Sequence, residues 1–232
     1  MSKAIVAGVD DELDRVARSC AALRAVHRAD HYIEPDRSAP FELRVSVHTL
    51  GALRLMEIAG SPQSTRIGHG GEDVVLAIVV HAGHGRIRQG AREAVLGPGV
   101  LCLLHGGEAF ELILNEGFRH QVVRVPRERM TESFPAWPVL LMCTIPTGRG
   151  PAAMLAAHLR ATQEHLESLT PADQKGVSEA LLCLLVSTLS ASLPAPSERL
   201  SRIERYHLER VKAYVRAHLA DPELNVATIS AA

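Results

Sequence analysis

The stretch that decides the fold is residues 74–104, VVLAIVVHAGHGRIRQGAREAVLGPGVLCLL. Short apolar runs alternate in it with two glycine-containing turn signals, HAGHG at 81–85 and GPG at 97–99. The second signal is strong, because proline presets φ and glycine tolerates positive φ. Apolar runs at this spacing predict antiparallel strands joined by tight turns.

The same pattern extends to both sides of this stretch. Leu43, Val45 and Val47 alternate with polar residues, which is typical of a half-buried strand. Apolar residues recur over 109–115 and 121–125, and Pro126 ends the series because it cannot donate to a ladder. Residues 1–130 are therefore predicted to form an antiparallel β-sandwich or small barrel, preceded by a helix over residues 10–25.

Residues 131–193 have helical periodicity. Gly150-Pro151 and Thr170-Pro171 are helix starts, the second with an acid, Asp173, placed to complete a capping box. The helix that follows Thr170 carries two apolar stripes, a band wider than one buried face needs. We expect one side to pack on its own domain and the other to form a homodimer, although full coverage within one chain is the alternative. The predicted dimer residues are Leu181, Leu184, Leu185 and Leu189.

The last forty residues change in character. A linker with two prolines is predicted at 194–199, and residues 199–220 carry six cations against two acids. The whole chain has 25 Lys and Arg against 26 Asp and Glu, so it is not polybasic throughout, and any attraction to nucleic acid is local. The apolar pattern that begins near Asn225 is interrupted at Ala232, which predicts a truncated segment.

Residues 210–232, RVKAYVRAHLADPELNVATISAA, resemble the opening of an AraC/XylS-type DNA-binding domain. In that family a helix ends in an Asp-Pro-x-Leu-Ser loop, and a Val-x-x-Ile-Ala helix then begins the first helix-turn-helix. Asn225 stands here for the serine, and Ser230 stands for the alanine. The sequence REAVLGPG at 92–99 and VRVPR at 123–127 are similar to parts of the family's effector-binding domain.

The resemblance implies an α+β chain in four parts. These are a cupin-like effector-binding domain at 1–130, a helical dimerisation segment at 131–193, a linker at 194–199, and the start of a truncated DNA-binding domain at 200–232. It implies a small-molecule effector as partner and no cofactor. The recognition helices are absent, so no DNA-reading residue is carried over and DNA would be bound only through the missing helices.

Two catalytic interpretations have weak support. His81 and His84 lie three positions apart around a turn, and with His105 and Glu111 they match no established metal-ligand spacing, so no metal is expected. Gly176-Val-Ser-Glu-Ala180 sits in a helix, where a nucleophile elbow is not found. We therefore predict a binding pocket and no catalytic residue. Its candidate polar residues are Arg66, His81, Arg86, His105 and Glu111.

Composition agrees with a soluble protein. Apolar residues make up 47% of the chain and no uninterrupted apolar run exceeds seven residues, so neither disorder nor a membrane span is expected. The four cysteines, at 20, 102, 143 and 183, predict reduced core thiols and a cytoplasmic location. The predicted function is the sensing and dimerising part of a transcriptional regulator. A metal-dependent cupin enzyme is the alternative, and a free-standing dimeric sensor is a third possibility.

Overall fold

Eleven strands and four α-helices make up residues 12–193, the part of the chain that this computed structural model describes. The chain divides into two units after Ser192, and only the first concerns us here. The predicted linker and the resemblance over 210–232 lie outside the described residues. In chain order the elements are α1 (Glu12–His27), β1 (His31–Pro35), β2 (Leu43–Leu50), β3 (Leu53–Gly60), β4 (Gln63–Ile67), β5 (Val74–Ala82), β6 (Gly85–Gln89), β7 (Arg92–Leu96), β8 (Val100–His105), β9 (Phe110–Leu114), β10 (Phe118–Pro126), α2 (Arg127–Ser133), β11 (Thr144–Pro146), α3 (Gly150–His165) and α4 (Pro171–Ser192).

The strands form two antiparallel sheets that face each other as a sandwich. The first sheet has the order β1-β4-β9-β6-β7, and the second has the order β11-β8-β5-β10-β3-β2. The sheets do not close into a barrel, which decides between the two predicted architectures. The turns at 81–85 and 97–99 carry the chain from one sheet to the other. At the first of them Gly83 has φ +86°, and a Cβ there would lie 2.7 Å from the Cβ of Phe118, so glycine is required.

The hydrophobic core lies between the sheets. Its residues come from alternating positions of the central strands, such as Leu76, Ile78 and Val80 of β5 and Cys102 and Leu104 of β8. Strand β5 is buried along nearly its whole length because the second sheet is covered on both faces. This explains the unbroken apolar run at 74–80 that the sequence shows.

Strand β10 has a different neighbour on each of its faces. Phe118, His120 and Val122 point between the sheets. Gln121 points the other way, and its Nε2 donates to the backbone oxygen of Leu159 in α3 at 3.5 Å. One strand therefore has the interior of the sandwich on one side and a helical layer on the other.

The helical layer consists of α3 and α4, which pack against each other, with α4 also in contact with β2. The predicted capping box of α4 is confirmed, since Asp173 accepts from the Thr170 backbone N–H at 3.0 Å while the Thr170 hydroxyl accepts from Asp173 N–H. The helix is apolar and long enough to cross a membrane by length and composition alone. Its leucines are, however, buried against protein.

That burial corrects part of the predicted dimer surface. Leu181, Leu185 and Leu189 have no exposed surface within a single chain, and they fill the space between α4 and its own domain. Of the four predicted dimer leucines only Leu184 is partly exposed. The other three are core residues, because the side of α4 that carries them is the side that covers the sandwich.

The cysteines also differ from expectation. All four are free, as predicted, and Cys102 is a core residue whose pKa burial raises to about 12. Cys143 and Cys183 are exposed, so the prediction of core thiols is wrong for these two.

Candidate ligand-binding site

A cavity of about 50 Å³ lies between the two sheets, beneath α1. The first sheet contributes side chains from β1, β4 and β9, the second from β2, β3, β5 and β10, and α1 contributes Leu23 and His27. Its lining consists of Leu23, His27, His31, Leu43, Ile58, Gln63, Thr65, Ile67, Leu76, Ile78, Phe110, Leu112, Leu114, Phe118, His120 and Val122. A mostly apolar interior with a few polar groups is the usual composition of a small-molecule site.

Five of these lining residues are polar, and four of them are nearly inaccessible to solvent. His31 is 2% exposed, His120 3%, Gln63 4% and Thr65 5%. His27 is partly buried at the end of α1, with its ring 4.8 Å from that of His31 in an edge-to-face arrangement. The described residues that line the cavity include no Lys, Arg, Asp or Glu, so a histidine is the only lining residue type that can carry a formal charge.

The three histidines are neutral at physiological pH. Burial lowers the pKa of His27 to about 3, with His31 and Arg124 adding to the effect. Burial also lowers the pKa of His120 to about 4, assisted by His81, and it lowers the pKa of His31. A neutral imidazole has one N–H donor and one acceptor nitrogen, so the cavity presents hydrogen-bonding groups without net charge.

Four polar atoms in this lining are buried and have no hydrogen-bond partner within the protein. They are the Nε2 atoms of His27, His31 and His120 and the Oε1 atom of Gln63. Buried polar groups are nearly always paired, and leaving one unpaired costs about 1–3 kcal/mol. A cluster of such atoms around one cavity indicates a place where another molecule makes the missing bonds.

A buried ion pair lies beside the cavity and closes the space below α1. The Arg124 guanidinium is 3% exposed and lies 3.0 Å from Glu72, while its other Nη donates to the Val26 backbone oxygen in α1 at 2.7 Å. Glu72 also contacts Arg54 at 3.2 Å and Arg28 at 3.5 Å. Arg124 is thus already paired with a carboxylate and a carbonyl oxygen, and it holds the end of α1 on the second sheet.

Three of the residues predicted for ligand binding lie together, but on the outside of the first sheet. Arg66 of β4 is 3.7 Å from Glu111 of β9, which is 3.8 Å from Arg88 of β6. Arg86 is 3.8 Å from Glu93, which also pairs with Arg88. These charges form a row across neighbouring strands on the solvent side, where each exposed pair is worth about 0–1 kcal/mol.

The two predicted histidines lie on the other sheet and also outside the cavity lining. His81 occupies a bulge of β5, and its Nε2 donates to Gln121 Oε1 at 2.7 Å on the face that carries α3. The His105 ring stacks on Trp137 with centroids 6.0 Å apart, and its Nε2 lies 3.4 Å from Asp73. The five predicted residues therefore do not share one pocket.

The cavity residues His27, His31, Gln63, Thr65 and His120 were missed by sequence reasoning. Gln63 and Thr65 occupy inward positions of β4, where an apolar residue is the rule. The sequence signal for these residues is that Gln63, Thr65 and Ile67 occupy every second position. This alternation can be used only after residues 63–67 have been identified as a strand. Within residues 12–193 no group of three or more His, Cys, Asp or Glu side chains is arranged to hold a metal ion.

Comparison with known proteins places the chain in a family. Residues 14–190 match the family described as the AraC-binding-like domain. The uncharacterized protein in the nit 5′ region of Bacillus sp. (strain OxB-1) is 26% identical over 157 residues, covering 66% of this chain. The alignment spans 60% of that relative's length.

A solved structure shows the same fold. The AraC-like transcriptional activator CuxR superposes with a TM-score of 0.68 at 15% identity, covering 99% of this chain and 82% of its own. Vicilin from Corylus avellana aligns with a TM-score of 0.32 at 18% identity, over 41% of this chain and 31% of its own.

Proposed function

The chain belongs to the AraC-binding-like domain family. On this premise we propose that it is the part of a DNA-binding transcriptional regulator that senses a small molecule and forms the dimer. The proposed division keeps residues 1–130 as the sensing part, 131–193 as the dimerisation segment, 194–199 as a linker and 200–232 as the start of the DNA-binding part. The effector is proposed to bind in the cavity between the sheets.

The observation that carries this proposal is the group of unpartnered polar atoms around a mostly apolar cavity. A sandwich that needed only a packed core would fill this space with aliphatic side chains, since an unpaired buried polar atom destabilises the fold. The five candidates from sequence lie on outer faces of the sheets. The effector site is therefore assigned here to His27, His31, Gln63, Thr65 and His120.

The test of effector binding is a cavity-filling variant. Leu112→Phe adds a ring to a side chain that lines the cavity, whereas Leu13→Phe makes the same change at a position 75% exposed on α1. We expect a compound that alters promoter binding by the regulator to lose its effect in Leu112→Phe and to keep it in Leu13→Phe. Equal responses in gel-shift titrations of the two variants would remove the cavity from the proposal.

Dimerisation is proposed to use the outer face of α4. Six exposed positions recur there at helical spacing, and all are small and uncharged; we call them the small-residue face. They are Gly176, Ala180, Cys183, Ser187, Ser190 and Ala191. A solvent-facing helix side normally carries charged residues. Small residues instead let the backbone of a second helix approach closely, so a second copy of α4 fits this face.

Ala180→Arg tests the dimer without touching the core. Ala180 is exposed in one chain, so a bulky cation there leaves the monomer folded but obstructs the approach of a second helix. Analytical ultracentrifugation should show a monomer with an unchanged melting temperature. Ala21→Arg places the same side chain on an exposed position of α1 and should remain a dimer. A dimeric Ala180→Arg protein would contradict the proposed interface.

A further inference from the structure

We propose, on the basis of the function proposed above, that the effector is a small uncharged molecule that donates a hydrogen bond to Nε2 of His31. The site is the part of the cavity where the end of α1 meets β1, and His27 and His31 are its polar anchor. This goes beyond the presence of an effector, because it fixes the ligand's charge, its hydrogen-bonding role and its size.

The donor role follows from the tautomer of His31. Its Nδ1 lies 2.9 Å from the backbone oxygen of Ala29, and a carbonyl oxygen only accepts, so Nδ1 carries the hydrogen. Burial lowers the pKa of this ring, which is therefore neutral and has no second hydrogen. Nε2 is left as an acceptor, it is buried, and it has no partner within the protein. Only a group that brings an N–H or O–H to this atom satisfies it.

Gln63 adds a second acceptor to the same cavity. Its Nε2 donates to the Thr65 hydroxyl at 2.9 Å, which directs the amide so that Oε1 is the atom without a partner. Both assigned acceptors lie on the first sheet, on neighbouring strands β1 and β4. The cavity therefore favours hydrogen-bond donors over molecules that only accept.

The absence of formal charge in the lining excludes ionic ligands. An anion would need a cation, and the nearby Arg124 is already paired with Glu72 at 3.0 Å. An ammonium group would need a carboxylate, and none of the described lining residues supplies one. Transfer of an unpaired charge into such a site is opposed by its loss of hydration.

The volume limits the ligand to a few heavy atoms. The cavity measures about 50 Å³, whereas an engineered apolar cavity of about 150 Å³ accepts benzene. A five-membered ring is near the upper limit without movement of α1. Pyrrole and furan are a matched pair of probes of this size. The two rings have almost the same shape, but pyrrole has an N–H donor and furan does not.

The experiment compares the two rings on the intact chain. Pyrrole, furan and acetate are titrated into ¹⁵N-labelled protein, and histidine ring nitrogen spectra measure the affinity of each. We expect pyrrole to bind about tenfold more tightly than furan, since furan leaves the buried acceptor unpaired. The carboxylate should bind more weakly than either. Pyrrole should also shift the Nε2 resonance of His31.

Variants locate the preference at His31. His31→Phe removes one of the two acceptors and should reduce the preference for pyrrole over furan, whereas His31→Gln retains an acceptor there and should keep more of the preference. His69→Phe, at an exposed position outside the cavity, should behave as wild type. If His31→Phe fails to fold, the ratio of the pyrrole and furan affinities of the wild-type chain still tests whether the cavity prefers a hydrogen-bond donor.

The possible failures are distinguishable. Equal affinity of pyrrole and furan for the wild-type chain, or tighter binding of the carboxylate, would overturn the inferred ligand chemistry and leave the cavity as a site. Absence of binding by all three probes at concentrations that saturate comparable cavities would overturn the cavity as the effector site, and with it the assignment made under the proposed function.

Discussion

His120 lies on the inner side of β10 with 3% of its surface exposed. Its pKa is about 4 in the folded chain, against an ordinary value of 6.5. Between these values the unfolded chain binds more protons, so this residue's contribution to stability is complete above pH 6.5 and is lost as the pH falls towards 4. From about pH 7.5 to about pH 5 we expect His120 to account for a loss of about 2 kcal/mol.

Urea unfolding at these two pH values measures this loss. His120→Gln cannot take up the proton, so its free energy of unfolding should fall less between the two pH values than that of wild type. His27, whose pKa is about 3, contributes in the same direction and remains in both proteins. His69→Gln, at an exposed position, should keep the wild-type dependence. An equal loss in wild type and His120→Gln would contradict the buried, neutral state.

Glu72 tests the buried ion pair below α1. Glu72→Gln leaves the Arg124 charge buried without its partner, and we expect it to lower the free energy of unfolding by about 2 kcal/mol. Glu93→Gln, in the exposed row of the first sheet, removes a solvent-screened pair with Arg88 and should cost much less. Comparable losses in chemical denaturation would mean that Arg124 is as well solvated as the surface arginines.

Charged residues that could bind a ligand were easy to select from the sequence, but their positions in the sheets could not be predicted from it. Arg66 and Glu111 are opposite each other because β4 pairs with β9, which lies far along the chain. Local periodicity reports which residues share a face of one strand, and it does not report which strands are neighbours. Three of the five predicted site residues, Arg66, Arg86 and Glu111, therefore belong to an outer row of ion pairs.

At the scale of elements, α4 separates two roles on its opposite sides. Leu185 is fully buried in one chain, so Leu185→Asp introduces an unpaired charge into the core. We expect it to lower stability by about 4 kcal/mol and to unfold the sandwich, as seen by circular dichroism and thermal melting. A folded monomer from this variant would instead place Leu185 in the dimer surface, where the sequence first located it.

Strands with apolar alternation were predicted within a few residues, and strands without it were missed. The runs at 74–80 and 100–104 match β5 and β8, which lie in the middle of the second sheet. β4 reads Gln-Ser-Thr-Arg-Ile, so its inner face begins with two polar residues. Those residues line the cavity. The polar residues that form the site are thus the reason that β4 lacks the apolar alternation by which a strand is recognised in a sequence.

At the scale of the whole molecule, we expect residues 1–232 to bind DNA without discriminating between sequences. The basic residues at 199–216 should give this chain weak attraction to phosphates that fades between roughly 50 and 200 mM salt. Gel-shift titrations compare the promoter of a neighbouring gene with unrelated DNA of the same length. Specific binding by residues 1–232 alone would contradict the proposed domain division.

The order of the large parts was predictable, because their composition changes along the chain. Alternating strands, apolar helices and a basic segment follow one another, and the two described parts appear in that order in the structure. The interior site was not predictable, since its residues come from α1, from both sheets and from positions as distant as His27 and His120. Only the packing of the sheets brings them together.

The two-sided position of β10 means that the cavity and the helical layer are separated by the thickness of one strand. His120 and Gln121 are consecutive: the first lines the cavity, and the second donates to the backbone oxygen of Leu159 in α3. The two faces of this strand therefore share one backbone, so a substitution that shifts it alters the cavity lining and the contact with α3 together.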